Sequence, residues 1–204
     1  RIEAWAGAPL SRVATIAKNY QLSGLEFAFG IPGTIGGAVY MNAGAYGGEM
    51  KDCVESVVCY YLPEQRLYEL DREQCAFDYR NSLFKKMGGC VLLSAVFRLE
   101  KGDGEAIAEK MRDYNSRRRE KQPLDLPSCG SAFKRPEGYF AAALIEQAGL
   151  RGFAIGGAQI SEKHCGFVVN RGGATQDDIH ALLKHVRNTV YEKFQVELEP
   201  EMIL

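Results

Sequence analysis

The sequence predicts an α+β fold in two lobes, and three features carry that expectation. A section with strand-like alternation follows a glycine-rich stretch within residues 1–121. A long helical pattern over 105–121 runs into Pro123, whose ring and missing N–H end it. Beyond that stop, short strand patterns and one strongly periodic helix recur, enough for a second unit over 122–195 with its own apolar set. Residues 196–204 read as a final strand.

The elements follow in order. Ile2, Ala4 and Ala6 alternate with Glu3 and Trp5, a strand already under way in a chain that starts without Met inside a domain. Residues 10–19 form a helix with Ser11 as N-cap and Leu10, Val13, Ile16 and Ala17 on one face. Between 24 and 48 stand eight glycines, more than a regular helix or strand tolerates, so this stretch is a shaped loop region. Strands over 54–62 and 66–70 flank a Pro63-Glu64-Gln65 turn, and 89–99 supplies a later strand.

Toward the end of the long helix the apolar positions thin into Arg117-Arg118-Arg119-Glu120-Lys121, the pattern of a solvated face. A short helix over 141–148 stops at Gly149, and strands fall around 154–160 and 166–170. Thr175 followed by Asp177 and Asp178 opens the clearest helix, with Ile179, Leu182, Leu183, Val186, Val190 and Phe194 on its apolar face.

Composition narrows the function classes. The formal net charge of −1 gives no bulk attraction to nucleic acid or to an anionic membrane, so neither is expected as a partner. Six scattered cysteines form no Cys-x-x-Cys pair and read as reduced thiols, which places the protein in the cytoplasm. His180 and His185 lie five residues apart on different helix faces, and no metal site is expected.

The run Gly30-Ile31-Pro32-Gly33-Thr34-Ile35-Gly36-Gly37-Ala38-Val39-Tyr40-Met41-Asn42-Ala43-Gly44-Ala45-Tyr46-Gly47-Gly48-Glu49 resembles the flavin-facing loop of the UDP-N-acetylenolpyruvoylglucosamine reductase family. Tyr79-Arg80-Asn81-Ser82-Leu83-Phe84-Lys85, Pro127-Ser128-Cys129-Gly130-Ser131-Ala132-Phe133-Lys134-Arg135-Pro136 and Leu198-Glu199-Pro200-Glu201 follow in that family's order. The resemblance spans essentially the whole chain. It implies the remainder of a vanillyl-alcohol-oxidase-like FAD-binding domain over 1–121, a C-terminal α+β substrate domain over 122–195, and a missing N-terminal lobe that grips most of the flavin and to which the final strand over 196–204 returns. The chain runs without the tyrosine-bearing insertion of one branch, which places it in the shorter branch.

Further implications concern the reaction and its residues. The resemblance implies reduction of UDP-N-acetylglucosamine enolpyruvate to UDP-N-acetylmuramate, with FAD as carrier and NADPH as reductant. Arg80 matches the arginine that polarises the substrate carboxylate, Ser131 the proton donor and Glu201 the catalytic glutamate. Gly30, Ile31, Pro32, Gly33, Thr34, Gly36, Gly37, Asn42 and Ala43 match the cofactor loop, whose glycines let backbone amides approach a flat or anionic ligand. Lys121 and Arg135 match substrate contacts, although many family members carry asparagine at the position of Arg135.

The chemistry is coherent. Hydride addition to the vinylic carbon of an enolpyruvyl ether leaves negative charge on its neighbour, delocalised into the carboxylate. That charge needs fixed donors such as Arg80 and Glu201, and then a proton, which Ser131 delivers only if held within hydrogen-bond reach. Alternatives are another flavin oxidoreductase of the same fold and an inactive nucleotide-sugar-binding fragment. With its N-terminal lobe missing, the chain is expected to bind FAD weakly or not at all and to self-associate through uncovered apolar surface.

Overall fold

The computed structural model describes residues 1–202. Helices and sheets sit in two compact units, Arg1–Arg117 and Arg118–Leu204, a division four residues ahead of the boundary expected at 121/122. Among the described residues, no helix is long and apolar enough to cross a membrane.

The first unit is built from β1 (Ile2–Trp5), α1 (Leu10–Asn19), α2 (Ile35–Tyr40), β2 (Val54–Tyr61), β3 (Arg66–Asp71), β4 (Cys90–Phe97) and most of α3 (Gly104–Lys121). Its four strands form one antiparallel sheet in the order β1-β4-β2-β3. Register places Ala4 opposite Ala95 and Ala95 opposite Val57, so one row of small and branched residues runs into the core. The β2–β3 connection is the Pro-containing turn anticipated from sequence, with Gln65 in the left-handed region at φ 51°. Leu10, Val13, Phe27, Ile35, Val39 and Phe97 fill the core behind the sheet.

Local chemistry departs from expectation at three places. Helix α1 is capped by Pro9 rather than Ser11; Pro9 bridges Thr34, which sets the helix entry without a side-chain oxygen. Ser11 lies inside the first turn, its carbonyl accepting from Thr15 Oγ1 at 2.8 Å. Within the stretch read as loop, α2 forms despite two glycines, because Thr34 Oγ1 accepts from Gly37 N and a Cβ on Gly36 would lie 3.0 Å from Ala6 Cβ. Glycine there permits close helix-to-strand approach. Arg118, read as part of a solvated face, is buried at 5% exposure, since a helical turn cannot direct three consecutive side chains the same way.

The second unit holds β5 (Ser128–Ser131), α4 (Ala141–Gln147), β6 (Ala154–Ile155), β7 (Ala158–Ile160), β8 (Phe167–Asn170) and α5 (Gln176–Phe194). Its antiparallel sheet runs β6-β7-β8-β5. The strand expected over 154–160 is two short strands, because Gly156 at φ 54° turns the chain and a Cβ on Gly157 would lie 2.4 Å from Ala174 N. Helix α5 opens with a reciprocal cap: Thr175 Oγ1 accepts from Asp178 N at 3.1 Å, and Asp178 Oδ2 accepts from Thr175 N at 2.9 Å. Leu182, Leu183, Val186 and Val190 are buried in the same core as Ile145, Ala158 and Ile160.

A final strand is not formed over residues 196–202; the segment instead joins the second unit. Lys134 N donates to Glu199 O at 2.8 Å, Phe133 bridges Pro200, and Glu201 N donates to Ala132 O at 2.9 Å. Pro200 has no N–H to extend the pairing, and Leu198 at 1% exposure anchors the segment in the core. The remainder of the expected strand, residues 203 and 204, lies outside the described residues. Leu198→Ala should lower the unfolding free energy of the second unit by about 2–5 kcal/mol, read as a shifted urea midpoint.

Candidate functional site

The glycine-rich segment divides into an inward and an outward part. Ile35 N donates to Ala8 O at 2.9 Å, Gly36 N to Ala6 O at 2.8 Å and Ala43 N to Ala38 O at 2.8 Å, so these amides are consumed by the fold. Gly37 N is likewise turned to the Thr34 hydroxyl. Ahead of them Pro32, Gly33 and Thr34 are exposed, Gly30 and Ile31 half-buried. The amides of Gly33 and Thr34 donate to no other group among the described residues. Gly33 has φ +137° and open space where a Cβ would stand. The surface an incoming ligand can use is therefore the 30–34 arc, and a flat or anionic group fits against its unencumbered backbone.

Asn42 belongs to the inward part, with φ 43° and no exposed surface. Its Nδ2 donates to Glu49 Oε2 at 2.8 Å and to Asp78 O at 2.9 Å, while its Oδ1 accepts from Lys51 N at 2.9 Å. Both carboxamide protons are spent, so its side chain holds protein segments together and does not face a cofactor. Ala43 also turns inward, its carbonyl accepting from Met50 N at 3.0 Å.

Arg80 sits at the tip of a tight turn closed by Asp78 N to Asn81 O at 3.0 Å and Asn81 N to Asp78 O at 3.1 Å. Its φ of 49° lies in the left-handed region, unusual outside glycine and asparagine. Nη2 donates to Gly44 O at 2.8 Å, and the guanidinium lies 5.1 Å from the centre of the Tyr79 ring. Buried Ser82 donates to Tyr40 O at 2.7 Å, tying the residue after the turn to the end of α2. The flavin-loop motif and the Tyr79–Lys85 motif, 36 residues apart at Gly44 and Arg80, thus meet in the first unit. Glu49, Lys51 and Asp78 were not given roles from sequence; the bond that links their two segments runs from Asn42 to Asp78 O, 36 residues away, which leaves no local signal.

In the second unit Ser131 ends β5, paired with Phe167 of β8 on one side. On the other side Glu201 stands opposite Ala132 through its 2.9 Å backbone bond. Ser131 is exposed, and its hydroxyl bonds to no other described residue. Burial, with Glu201 nearby, raises the Cys129 thiol above its ordinary value. Arg135 lies with its guanidinium 4.0 Å from the centre of the exposed Phe140 ring, its Nε donating to Tyr139 O at 3.4 Å. Lys134 pairs with Glu199, and Lys121 is exposed at the end of α3. Among the catalytic candidates, the chain pairs Ser131 with Glu201 in one unit, while Arg80 belongs to the other.

The remaining titratable groups have structural roles. Burial pushes the Cys53, Cys59 and Cys75 thiols up to about 12, which makes them poor nucleophiles. His164 accepts from Gly166 N through Nδ1 at 3.1 Å and meets Phe167 edge-on at 5.0 Å. Burial holds its imidazole below the ordinary value, partly offset by a backbone hydrogen bond, with Arg151 and Lys121 adding like charge.

The chain matches two family models: "UDP-N-acetylenolpyruvoylglucosamine reductase, C-terminal domain" over residues 122–204 and "FAD binding domain" over residues 1–67. A UDP-N-acetylenolpyruvoylglucosamine reductase of Lachnoclostridium phytofermentans is 53% identical over 199 residues, covering 98% of this chain and 64% of the relative. One from Limosilactobacillus reuteri is 51% identical over 202 residues, covering 99% of this chain and 67% of the relative. The crystal structure of the UDP-N-acetylenolpyruvylglucosamine reductase of Thermus caldophilus superposes with a TM-score of 0.84 at 34% identity, covering 97% of this chain and 71% of that one. The chain spans about two thirds of the length of the curated relatives it matches, 64% of the first.

His164 gives a pH signature. Because its folded value is depressed, its neutral form is the one the fold accommodates; stability is complete above the ordinary imidazole value and is lost as pH falls through the lower folded value. Thermal unfolding of the native chain should decline more steeply from neutral to mildly acidic pH than that of His164→Gln.

Proposed function

The chain belongs to the UDP-N-acetylenolpyruvoylglucosamine reductase family, and from that premise we propose that it carries the catalytic residues of an FAD-dependent reductase of UDP-N-acetylglucosamine enolpyruvate. The product is UDP-N-acetylmuramate for peptidoglycan synthesis in the cytoplasm, and NADPH is the reductant. The observation that carries the reading is the Glu201 N to Ala132 O bond of 2.9 Å. It joins the backbone of Glu201 to the residue that follows exposed Ser131, and a carboxyl and a hydroxyl are the donor pair this reduction requires.

FAD, when bound, supplies the hydride that reaches the vinylic carbon of the enolpyruvyl ether. The 30–34 arc, with the unengaged amides of Gly33 and Thr34, holds it. Arg80 offers planar donors to the substrate carboxylate and stabilises the negative charge that spreads into it. Glu201 adds a hydrogen-bonding carboxyl, and Ser131 Oγ delivers the proton to the carbon bearing that charge. Lys121 and Arg135, with cationic heads at exposed positions, contact the anionic nucleotide sugar. The Arg135 and Phe140 pair also supplies a flat face where many family members have asparagine.

A second reading is an inactive nucleotide-sugar-binding fragment; the given residues span 64% of the first relative. Trp5, 72% exposed on the edge strand β1, supports self-association of the isolated chain. Stoichiometric FAD retained through gel filtration would decide against the fragment reading.

Two substitutions test the main reading in the protein carrying FAD. Ser131→Ala should slow flavin reoxidation by substrate about 100-fold or more in stopped-flow absorbance while reduction by NADPH proceeds, as loss of a general acid requires. Equal reoxidation rates would remove Ser131 from this role. Gly33→Val forces a branched side chain onto a backbone at φ +137°, a strain of about 1–3 kcal/mol, and should weaken FAD retention measured by the ratio of flavin to protein absorbance.

A further inference from the structure

We infer that Asn42 is a positioning residue for Arg80, and that it sets recognition of the substrate carboxylate through a buried three-bond link. The inference rests on the proposed role of Arg80 and extends it to residues that touch no ligand.

Two segments, 49–51 and the turn beginning at Asp78, meet at the Asn42 carboxamide. One Nδ2 proton goes to Glu49 Oε2 at 2.8 Å, the other to Asp78 O at 2.9 Å, and Oδ1 accepts from Lys51 N at 2.9 Å. Asp78 is the first residue of the turn whose tip is Arg80, and Glu49 is paired across its two-residue strand with Gly44. Gly44 O in turn accepts from Arg80 Nη2 at 2.8 Å. Asn42 therefore grips both the start of the Arg80 turn and the strand opposite the carbonyl against which the guanidinium rests. The link closes a ring running Asn42, Asp78, Arg80, Gly44, Glu49 and back to Asn42.

Only asparagine meets the demands of the position. The site calls for two donors and one acceptor in a place with no exposed surface, and for a backbone at φ 43°. Aspartate supplies acceptors alone, leucine supplies neither, and glutamine adds a methylene to a filled space. Asparagine also tolerates the left-handed region better than other residues with a side chain. The Arg80 backbone, at φ 49°, is in the same costly region. Such a conformation persists only where its surroundings over-determine it, and the Asp78 carbonyl bond is one such constraint. Glu49 is held in place by Lys51, whose Nζ lies 3.0 Å from the same Oε2 that accepts from Asn42.

In Asn42→Asp an oxygen would face both the Glu49 carboxylate and the Asp78 carbonyl, driving the turn away from its seat without changing side-chain size. The guanidinium would then lose its fixed aim at the carboxylate, and small misplacements of a positioned group are costly.

The test is calorimetric binding to the protein carrying FAD, with two nucleotide sugars that differ in the acid group. UDP-N-acetylmuramate carries the carboxylate; UDP-N-acetylglucosamine lacks it. Asn42→Asp should weaken the first by about 10- to 100-fold and leave the second within about twofold, the scale seen when a group that orients a ligand-binding residue is removed. Arg80→Ala should do the same, and the Asn42→Asp/Arg80→Ala double variant should be no weaker than Arg80→Ala alone, since Asn42 acts through Arg80.

Equal weakening of both ligands, no weakening of either, or multiplied effects in the double variant would each overturn the inference. If Arg80→Ala itself leaves the preference for the carboxylate intact, the reading of Arg80 fails, a result separable from failure of Asn42 alone. FAD content and melting temperature report folding of each variant. Should Asn42→Asp not fold, Glu49→Gln probes the same link from its half-buried end, with about a threefold to tenfold loss of affinity for the acid ligand expected and an unchanged affinity overturning the proposal.

Discussion

The first unit is tied together by a buried carboxamide whose two N–H protons are both donated and whose oxygen also accepts. Asn42 joins the neighbouring 49–51 segment, through the Glu49 side chain and the Lys51 backbone, to the turn beginning at Asp78, 36 residues away. A buried polar group is costly unless satisfied, so the fold around it must bring all three partners within bonding distance at once. The glycine-rich segment and the Arg80 turn are consequences of that requirement as much as of the sheet beneath them. Their glycines face inward at Gly36, where Ala6 presses close, and outward at Gly33, where nothing does.

The second unit follows a different rule. Its order comes from an apolar core between α5 and the short-stranded sheet, closed at one end by the Thr175 and Asp178 cap. The same Asp178 carboxylate accepts from Gly157 N at 3.3 Å, so one side chain fixes both a helix start and a hairpin turn. That bonding to backbone N–H groups, from Thr175 first and Gly157 second, keeps its carboxyl below the ordinary range. The segment from Leu198 to Glu201 is drawn onto this core by one buried leucine, and its backbone then bonds to Ala132 through Glu201 N. The backbone path of Glu201 thus depends on an apolar residue three positions earlier.

Much of this was legible from residue order. The β2–β3 hairpin was marked by its proline turn, α5 by its cap and its apolar stripe, and the end of α4 by Gly149, because each signal lies within a few residues of the feature it causes. The α1 cap, the helix inside the glycine-rich stretch and the burial of Arg118 were not. In each case the deciding contact is remote or depends on side-chain direction: Pro9 is held by Thr34, and Gly36 is useful only because Ala6 is beside it.

By itself, the sequence determined the α+β class, the local elements and the four motif blocks that tie the chain to its family, since periodicity, turn chemistry and motif identity are properties of neighbouring residues. Tertiary structure alone decided which of the named residues turn toward the protein and which toward solvent. It spent the Asn42 side chain on internal bonds, left the Gly33 and Thr34 amides unengaged among the described residues, and joined the Glu201 backbone to that of Ala132. The physical reason is that hydrogen-bond satisfaction in a buried place is settled by partners from anywhere in the chain, and no local pattern records them.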